Sequence, residues 1–188
     1  MDEALFAHVN QAWVHPGLDA LFVYLSSFAY FGLPLLTLLI ILLAWRRRSL
    51  GLKLGLALIL VVVAGETLGN LAKHLAQQPR PCHAPSVHAR LPPGVECRNP
   101  LAGLPSNHAL DYFAAAAFLG LVLRRRAVAA AALAVATLVA LSRVYLGLHY
   151  PSQVLAGAAL GSALGILAAW LGTRYLSSFR FLRAGRGN

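Results

Sequence analysis

Long apolar runs alternate with short polar or basic breaks along this chain, and the runs are of membrane length. A spanning helix needs about 20 mostly apolar residues. Five segments stand out, over roughly residues 18–45, 52–75, 109–123, 127–148 and 154–176. The first carries Gly32 and Pro34. A kink or break is expected there, because proline removes a backbone donor and its ring clashes with the preceding turn. The third run is short for a full span, so it is expected to start inside the protein rather than at the lipid surface. The pattern predicts an all-α polytopic membrane helix bundle of five to six helices, forming one domain over residues 1–188.

The first 17 residues follow another rule. Leu5, Phe6, Val9 and Trp13 recur at helical spacing, with Asp2, Glu3, His8, Asn10 and Gln11 between them. That pattern predicts a short amphipathic helix lying on the membrane surface. The acidic start, and the lack of a small-residue cleavage site after a short apolar core, do not fit a signal peptide. Gly157, Gly161 and Gly165 form a small-xxx-small series, the signature of close helix packing. Trp13, Tyr145 and Tyr150 are assigned to an interfacial aromatic belt. His8 and His15 read as interfacial polar residues, and His74, His83 and His88 as part of the outer loop.

Composition sharpens this picture. The chain is 59% hydrophobic and 12% charged, against about 45–50% and 25% in soluble chains. Disorder, a disulfide-dense secreted fold and a soluble enzyme are thereby excluded. Sixteen Lys and Arg against six Asp and Glu give a net charge of +10. The basic residues sit in clumps between apolar runs, so they report membrane orientation rather than a nucleic-acid face. Eleven of them, Arg46, Arg47, Arg48, Lys53, Arg124, Arg125, Arg126, Arg174, Arg180, Arg183 and Arg186, fall on one side if all five segments cross. That side is assigned to the cytoplasm. The other side receives Lys73, Arg80, Arg90, Arg98, Arg143, the loop over residues 76–105, the turn near His149 and the N-terminus.

Both cysteines, Cys82 and Cys97, lie in that outer loop. Outside a bacterial inner membrane the compartment is oxidising, so a disulfide is one reading and two free thiols the other. A zinc site from Cys82, His83, His88 and Cys97 matches no common ligand spacing.

Polar groups at the span ends carry the chemistry. Lys73 ends the second run and Arg80 follows it. Pro105, Ser106, Asn107 and His108 begin the third. Ser142 and Arg143 end the fourth, and His149 follows. The topology puts all of them in one layer. Three cations with a planar fork of donors suit a tetrahedral oxyanion. Ser106 stands at the N-cap position of a helix whose free N–H groups face an anion. Two histidines supply a nucleophile and a general acid. With no carboxylate cluster to hold a metal, phosphoryl transfer here is expected to need neither metal nor cofactor. Asp111, three residues after His108, is equally a candidate to orient that ring or a structural residue. Glu66 is read as a helix–helix hydrogen-bonding residue.

The same residues read K-x6-R-P over 73–81, P-S-N-H over 105–108 and S-R-x5-H over 142–149. In order and placement they resemble the three signature motifs of the type 2 phosphatidic acid phosphatase family. The start, LFAHVNQAW…LDALFVYLS, is similar to small bacterial members acting on polyprenyl pyrophosphate or other lipid phosphates. The resemblance implies a metal-independent membrane lipid phosphatase. Its substrate would be undecaprenyl pyrophosphate, phosphatidate, phosphatidylglycerol phosphate or lipid A phosphate. It implies that Lys73, Arg80 and Arg143 bind phosphate oxygens, with Ser106 and the backbone at Asn107 completing the cradle. His149 would attack phosphorus to form a phosphohistidine. His108 would protonate the leaving oxygen and later activate water. The implied location is a bacterial inner (plasma) membrane, with the site facing the periplasm and no nucleic-acid partner.

Two positions depart from the family pattern. Asn107 replaces the usual Gly or Asp. Gln153 stands four residues after His149, where an Asp is usual. That Asp would fix the ring tautomer and stabilise the imidazolium. A glutamine oxygen accepts the same N–H bond without charge, so weakened catalysis is expected with phosphate binding intact. A non-catalytic lipid-phosphate binder or carrier, and a lipid phosphotransferase, are the competing readings. A vanadate-dependent haloperoxidase would share the anion cradle but is soluble.

Overall fold

The computed structural model describes residues 2–46, 48–92, 95–97 and 99–175. Arg47, Arg98, Arg180, Arg183 and Arg186 lie outside them. The described elements are helical: α1 (Asp2–Ala7), α2 (Pro16–Ser26), α3 (Leu33–Arg46), α4 (Arg48–Ala76), α5 (Asn107–Leu123), α6 (Arg126–Tyr145) and α7 (Pro151–Tyr175). Four stretches are long and apolar enough to cross a bilayer: Phe28–Trp45, Ser49–Ala76, Arg126–Tyr145 and Pro151–Tyr175. The protein is a multi-pass helical membrane bundle.

The first apolar run does break, but at Ser27, ahead of Gly32 and Pro34. Ser27 is extended (φ −88°, ψ 118°), and its Oγ accepts from the Tyr30 N–H at 3.2 Å. A π-helical turn, Phe28–Gly32, then leads into α3. Pro34 follows directly, at the junction of the π-helical turn and α3. The run thus yields α2, at the end of the bundle that carries α1, and one span.

Helix α5 is the centre. Its 17 residues reach about 26 Å, short of the ~30 Å hydrocarbon layer. It packs against α4, α6 and most extensively α7. Ala109, Leu110 and Ala114 are fully buried. The glycine series of α7 allows this. A Cβ on Gly157, Gly161 or Gly165 would strike the backbone oxygen of Ser106, Leu110 or Ala114 respectively. Such contact without side chains between helices is how membrane helices gain packing energy, since lipid supplies no hydrophobic drive between them.

At the end of α5 that carries Asn107, the N-terminal segment closes over the bundle. Phe6 and Val9 are buried while Leu5 and Trp13 are exposed. Asn10 Nδ2 donates to the Tyr145 carbonyl at 2.8 Å, and Asp2 accepts from the N–H (3.0 Å) and Oγ (2.5 Å) of Ser152. Tyr145 therefore does not belong to an interfacial belt. It is fully buried, packs at a tilt against Phe22, and donates its hydroxyl to Asp19 at 2.6 Å. Arg90 joins the outer loop to this cap. Its guanidinium donates to the Asn10 carbonyl and lies 3.5 Å from the Asp19 carboxylate. Cys82 and Cys97 are joined in a disulfide across the same loop.

Candidate active site

Three chain segments meet where α4 ends, α5 begins and α6 turns into α7. Lys73 projects from the last turn of α4 and donates to Asn107 Oδ1; Asn107 Nδ2 in turn donates to Asn70 Oδ1 at 3.0 Å. Arg80 is held by its loop: its N–H donates to the Pro100 carbonyl (2.9 Å) and its Nε to the Ala102 carbonyl (3.0 Å). Burial holds this guanidinium below its usual value. The loop closes on itself where the Gly103 N–H donates to the Gln78 carbonyl at 2.8 Å.

The turn after α6 folds back on Arg143. The N–H groups of Leu148 (2.9 Å) and His149 (3.2 Å) both donate to the Arg143 carbonyl. Gly147 enables the reversal at φ +79°, a conformation side chains rarely adopt. His149 is thereby brought beside Arg143, and both are buried.

Several polar atoms here have no partner. Arg143 donates one terminal nitrogen to Ser26 Oγ, yet its Nε is buried and unbonded. Ser106 occupies the N-cap position of α5, but its side chain makes no capping bond, and its Oγ is buried without a partner. Buried donors are almost always satisfied in folded proteins. Arg143 Nε is thus a donor left over in a cavity that Lys73 and Arg80 also line. The first N–H groups of α5 add positive ends of peptide dipoles.

The two histidines are held by backbone carbonyls. His149 Nδ1 lies 2.8 Å from the Gly103 oxygen and 3.2 Å from Gln153 Oε1. Both are acceptors, so Nδ1 carries the proton and Nε2 keeps its lone pair. Burial, then the charges of Arg143, Arg80 and Lys73, push His149 well below the usual histidine value. His108 Nε2 lies 3.0 Å from the Ser26 carbonyl. That oxygen is available because α2 stops at Ser26 and the following turn hydrogen-bonds through Ser27 instead.

Lys73, Arg80, Asn107, His108, Arg143 and His149 line one cavity of about 1450 Å³. Ser26, unnoticed in the sequence, lines it too; two adjacent serines inside an apolar run were the available signal. The cavity continues past Tyr112 between α3 and α4 to Leu36, Leu39 and Leu58. Asp111 does not reach His108. It interacts with the Glu66 carboxyl on α4, which fits a helix–helix role. Among the described residues, the cluster of three ligating side chains is Cys82, His83 and Cys97, and its sulfurs are bonded to each other.

The profile of the PAP2 superfamily matches residues 50–176, the stretch that holds all three motifs. The chain belongs to this family. It is 31% identical over 153 residues to an undecaprenyl-diphosphatase of Sulfolobus acidocaldarius, covering 80% of this chain and 69% of that protein. It is 35% identical over 125 residues to dolichyldiphosphatase 1 of Rhinolophus ferrumequinum, covering 58% of this chain and about half (48%) of that one. Among solved structures it resembles LpxE of Aquifex aeolicus, with TM-score 0.68 and 27% identity over 88% of this chain and 93% of the other. It also resembles a transmembrane PAP2-type phosphatidylglycerolphosphate phosphatase of Bacillus subtilis, with TM-score 0.67 and 26% identity over 93% and 85%. This PAP2 protein is a membrane lipid phosphatase.

Proposed function

We propose that the protein hydrolyses a polyprenyl diphosphate through a phosphohistidine at His149, with the headgroup held at the end of the bundle capped by α1. The observation that carries this reading is the buried, orphaned Nε of Arg143, in one cavity with Lys73, Arg80, His108 and His149. A tetrahedral phosphate in that cavity would satisfy it. The named activities of the two curated relatives, on undecaprenyl and dolichyl diphosphates, favour a polyprenyl chain. The apolar extension of the cavity gives that chain a path between α3 and α4.

In this mechanism Lys73, Arg80 and Arg143 hold the terminal phosphate. His149 Nε2 attacks phosphorus while the bond to the bridging oxygen breaks. Positive charge grows on the imidazole, and the proton on Nδ1 stays directed at the Gly103 carbonyl. His108 takes up a proton as the anionic headgroup binds and passes it to the leaving lipid phosphate. Now neutral, it takes a proton from water as that water attacks the phosphohistidine. Inorganic phosphate leaves and His149 is restored. The burial of His149 keeps bulk water from competing for phosphorus. Positive charge around the links α3–α4 and α5–α6 supports a cytoplasmic assignment for that end, and so an extracytoplasmic site in a bacterial plasma membrane.

The test is phosphate release by purified protein from undecaprenyl diphosphate, phosphatidate and phosphatidylglycerol phosphate, with an acid quench to trap an acid-labile phosphoenzyme. The diphosphate should be cleaved fastest, and His149→Ala should lose both turnover and phosphoenzyme while still binding vanadate. Full turnover by His149→Ala would exclude the phosphohistidine.

A further inference from the structure

The side chain of Gln153 makes contacts that an aspartate could not. It is almost fully buried, at 2% exposure. Its Nε2 donates to the Pro79 carbonyl at 2.8 Å. Its Oε1 accepts from the Tyr150 N–H at 3.2 Å and faces His149 Nδ1 at 3.2 Å. A carbonyl only accepts and a backbone N–H only donates, so the two ends of the amide cannot be exchanged. The backbone carbonyl of Gln153 accepts from the Ser106 N–H at 3.0 Å. One residue therefore touches all three segments of the site: Pro79, next to Arg80; Ser106; and the turn that carries His149.

The Gly103 carbonyl is the shorter of the two bonds to His149 Nδ1, at 2.8 Å. Gly103 is also the one residue type that fits there. A Cβ on it would lie 2.6 Å from the Pro79 oxygen and 2.8 Å from the Gln78 oxygen, and would strike Gln153 Nε2. The space that glycine leaves is filled by the amide of Gln153.

We propose that Gln153 is a positioning residue that uses its amide N–H to tie the Arg80 segment to the start of α7, next to the turn of His149, while the Gly103 carbonyl fixes the His149 tautomer. This rests on the reading of His149 as the nucleophile. Gln153 is then no weakened aspartate. A carboxylate at this place has no N–H for Pro79, and it would bring negative charge up to the Pro79 and Gly103 oxygens. The ring orientation that an aspartate is expected to supply in the family pattern comes here from elsewhere. A backbone carbonyl orients the ring, and a neutral amide sets the spacing between phosphate-binding and nucleophilic residues.

The experiment uses full-length protein in nanodiscs with ¹⁵N-labelled histidine. Imidazole ¹⁵N shifts report the tautomer, and a His149→Gln spectrum identifies the signals of His149. The same preparations of wild type, Gln153→Ala, Gln153→Glu and Gln153→Asp give kcat and KM for phosphate release. The wild type should show His149 protonated at Nδ1, and Gln153→Ala should keep that tautomer. KM should rise about tenfold in Gln153→Ala, with kcat changed less, as expected for lost ground-state positioning. Gln153→Glu and Gln153→Asp should do no better than Gln153→Ala. Protonation of wild-type His149 at Nε2, loss of the tautomer in Gln153→Ala, or a tenfold rise of kcat in Gln153→Asp would each overturn the proposal. Unchanged phosphate release by His149→Gln would instead remove the nucleophile reading, and the tautomer shifts would still decide the role of Gly103.

Discussion

Arg143 gives the sharpest quantitative test of the phosphate cradle. It is buried at the end of α6, has 8% of its surface exposed, and its Nε lacks any protein partner. Its backbone carbonyl, which holds the turn to His149, survives truncation of the side chain. Arg143→Ala therefore removes charge and donors while leaving the turn in place. Each hydrogen bond to a charged group contributes about 1.5–3 kcal/mol, so two from the guanidinium fork amount to about 3–6 kcal/mol. At about 1.4 kcal/mol per decade, kcat/KM should fall by roughly 10² to 10⁴. Arg143→Lys restores charge without the planar fork and should recover only part of the loss. The assay is initial-rate phosphate release from a short-chain prenyl diphosphate in micelles, with vanadate inhibition measured on the same preparations. Vanadate affinity should weaken together with kcat/KM, because the bonds act in ground and transition states alike. A variant that melts like wild type and stays within tenfold of its kcat/KM would refute the reasoning. So would unchanged vanadate affinity.

Three other outcomes follow from the geometry. His149 is held well below the usual histidine value by burial first and neighbouring cations second. Its lone pair should therefore remain available as pH falls through about 6.5, and no acid limb of kcat/KM should arise from it there. The unfolded chain does take up a proton at His149 in that range and the folded chain does not, so stability should fall below pH ~6.5; a melting temperature that rises on acidification would contradict this. Gly161→Leu should abolish folding into the membrane or lower the melting temperature steeply, since even a Cβ there strikes the Leu110 backbone; a variant of wild-type stability would show that α5 and α7 are not held so closely. Phosphate release should persist in a strong chelator, because the proposed charge stabilisation comes from Lys73, Arg80 and Arg143; loss in EDTA and recovery with Mg²⁺ would mean the cradle works differently.

Much of this protein was legible in one dimension because its determinants are local. The length of an apolar run decides whether a helix crosses a bilayer, and every backbone group in such a helix is satisfied within it. The spans near 52–75, 127–148 and 154–176, the short central α5 and the glycine series of α7 were therefore readable from residue type and spacing. Lys73, Arg80, His108, Arg143 and His149 do line one cavity, since alternate span ends meet at one surface. The break in the first run was also expected, but its position was not. The helix runs through Pro34 by way of a π-helical turn, and the polar pair Ser26–Ser27 turned the chain instead.

Tertiary structure decided the contacts that depend on which groups are left over once the helices pack. Tyr145 looks like an interfacial residue by type, yet the closure of α1 and α2 over the bundle buries it against Asp19. Asp111 stands at helical spacing from His108, but its partner is Glu66 on another helix. The carbonyls of Ser26 and Gly103 meet the two histidines. Every residue carries a carbonyl, so no residue type marks the ones that will orient a histidine ring. Only the ends of helices and loops leave them free, and only packing aims them. For the same reason Gln153 reads in sequence as an aspartate without its charge. Its second polar end acquires meaning only where the Pro79 carbonyl, 74 residues away along the chain, lies 2.8 Å from it.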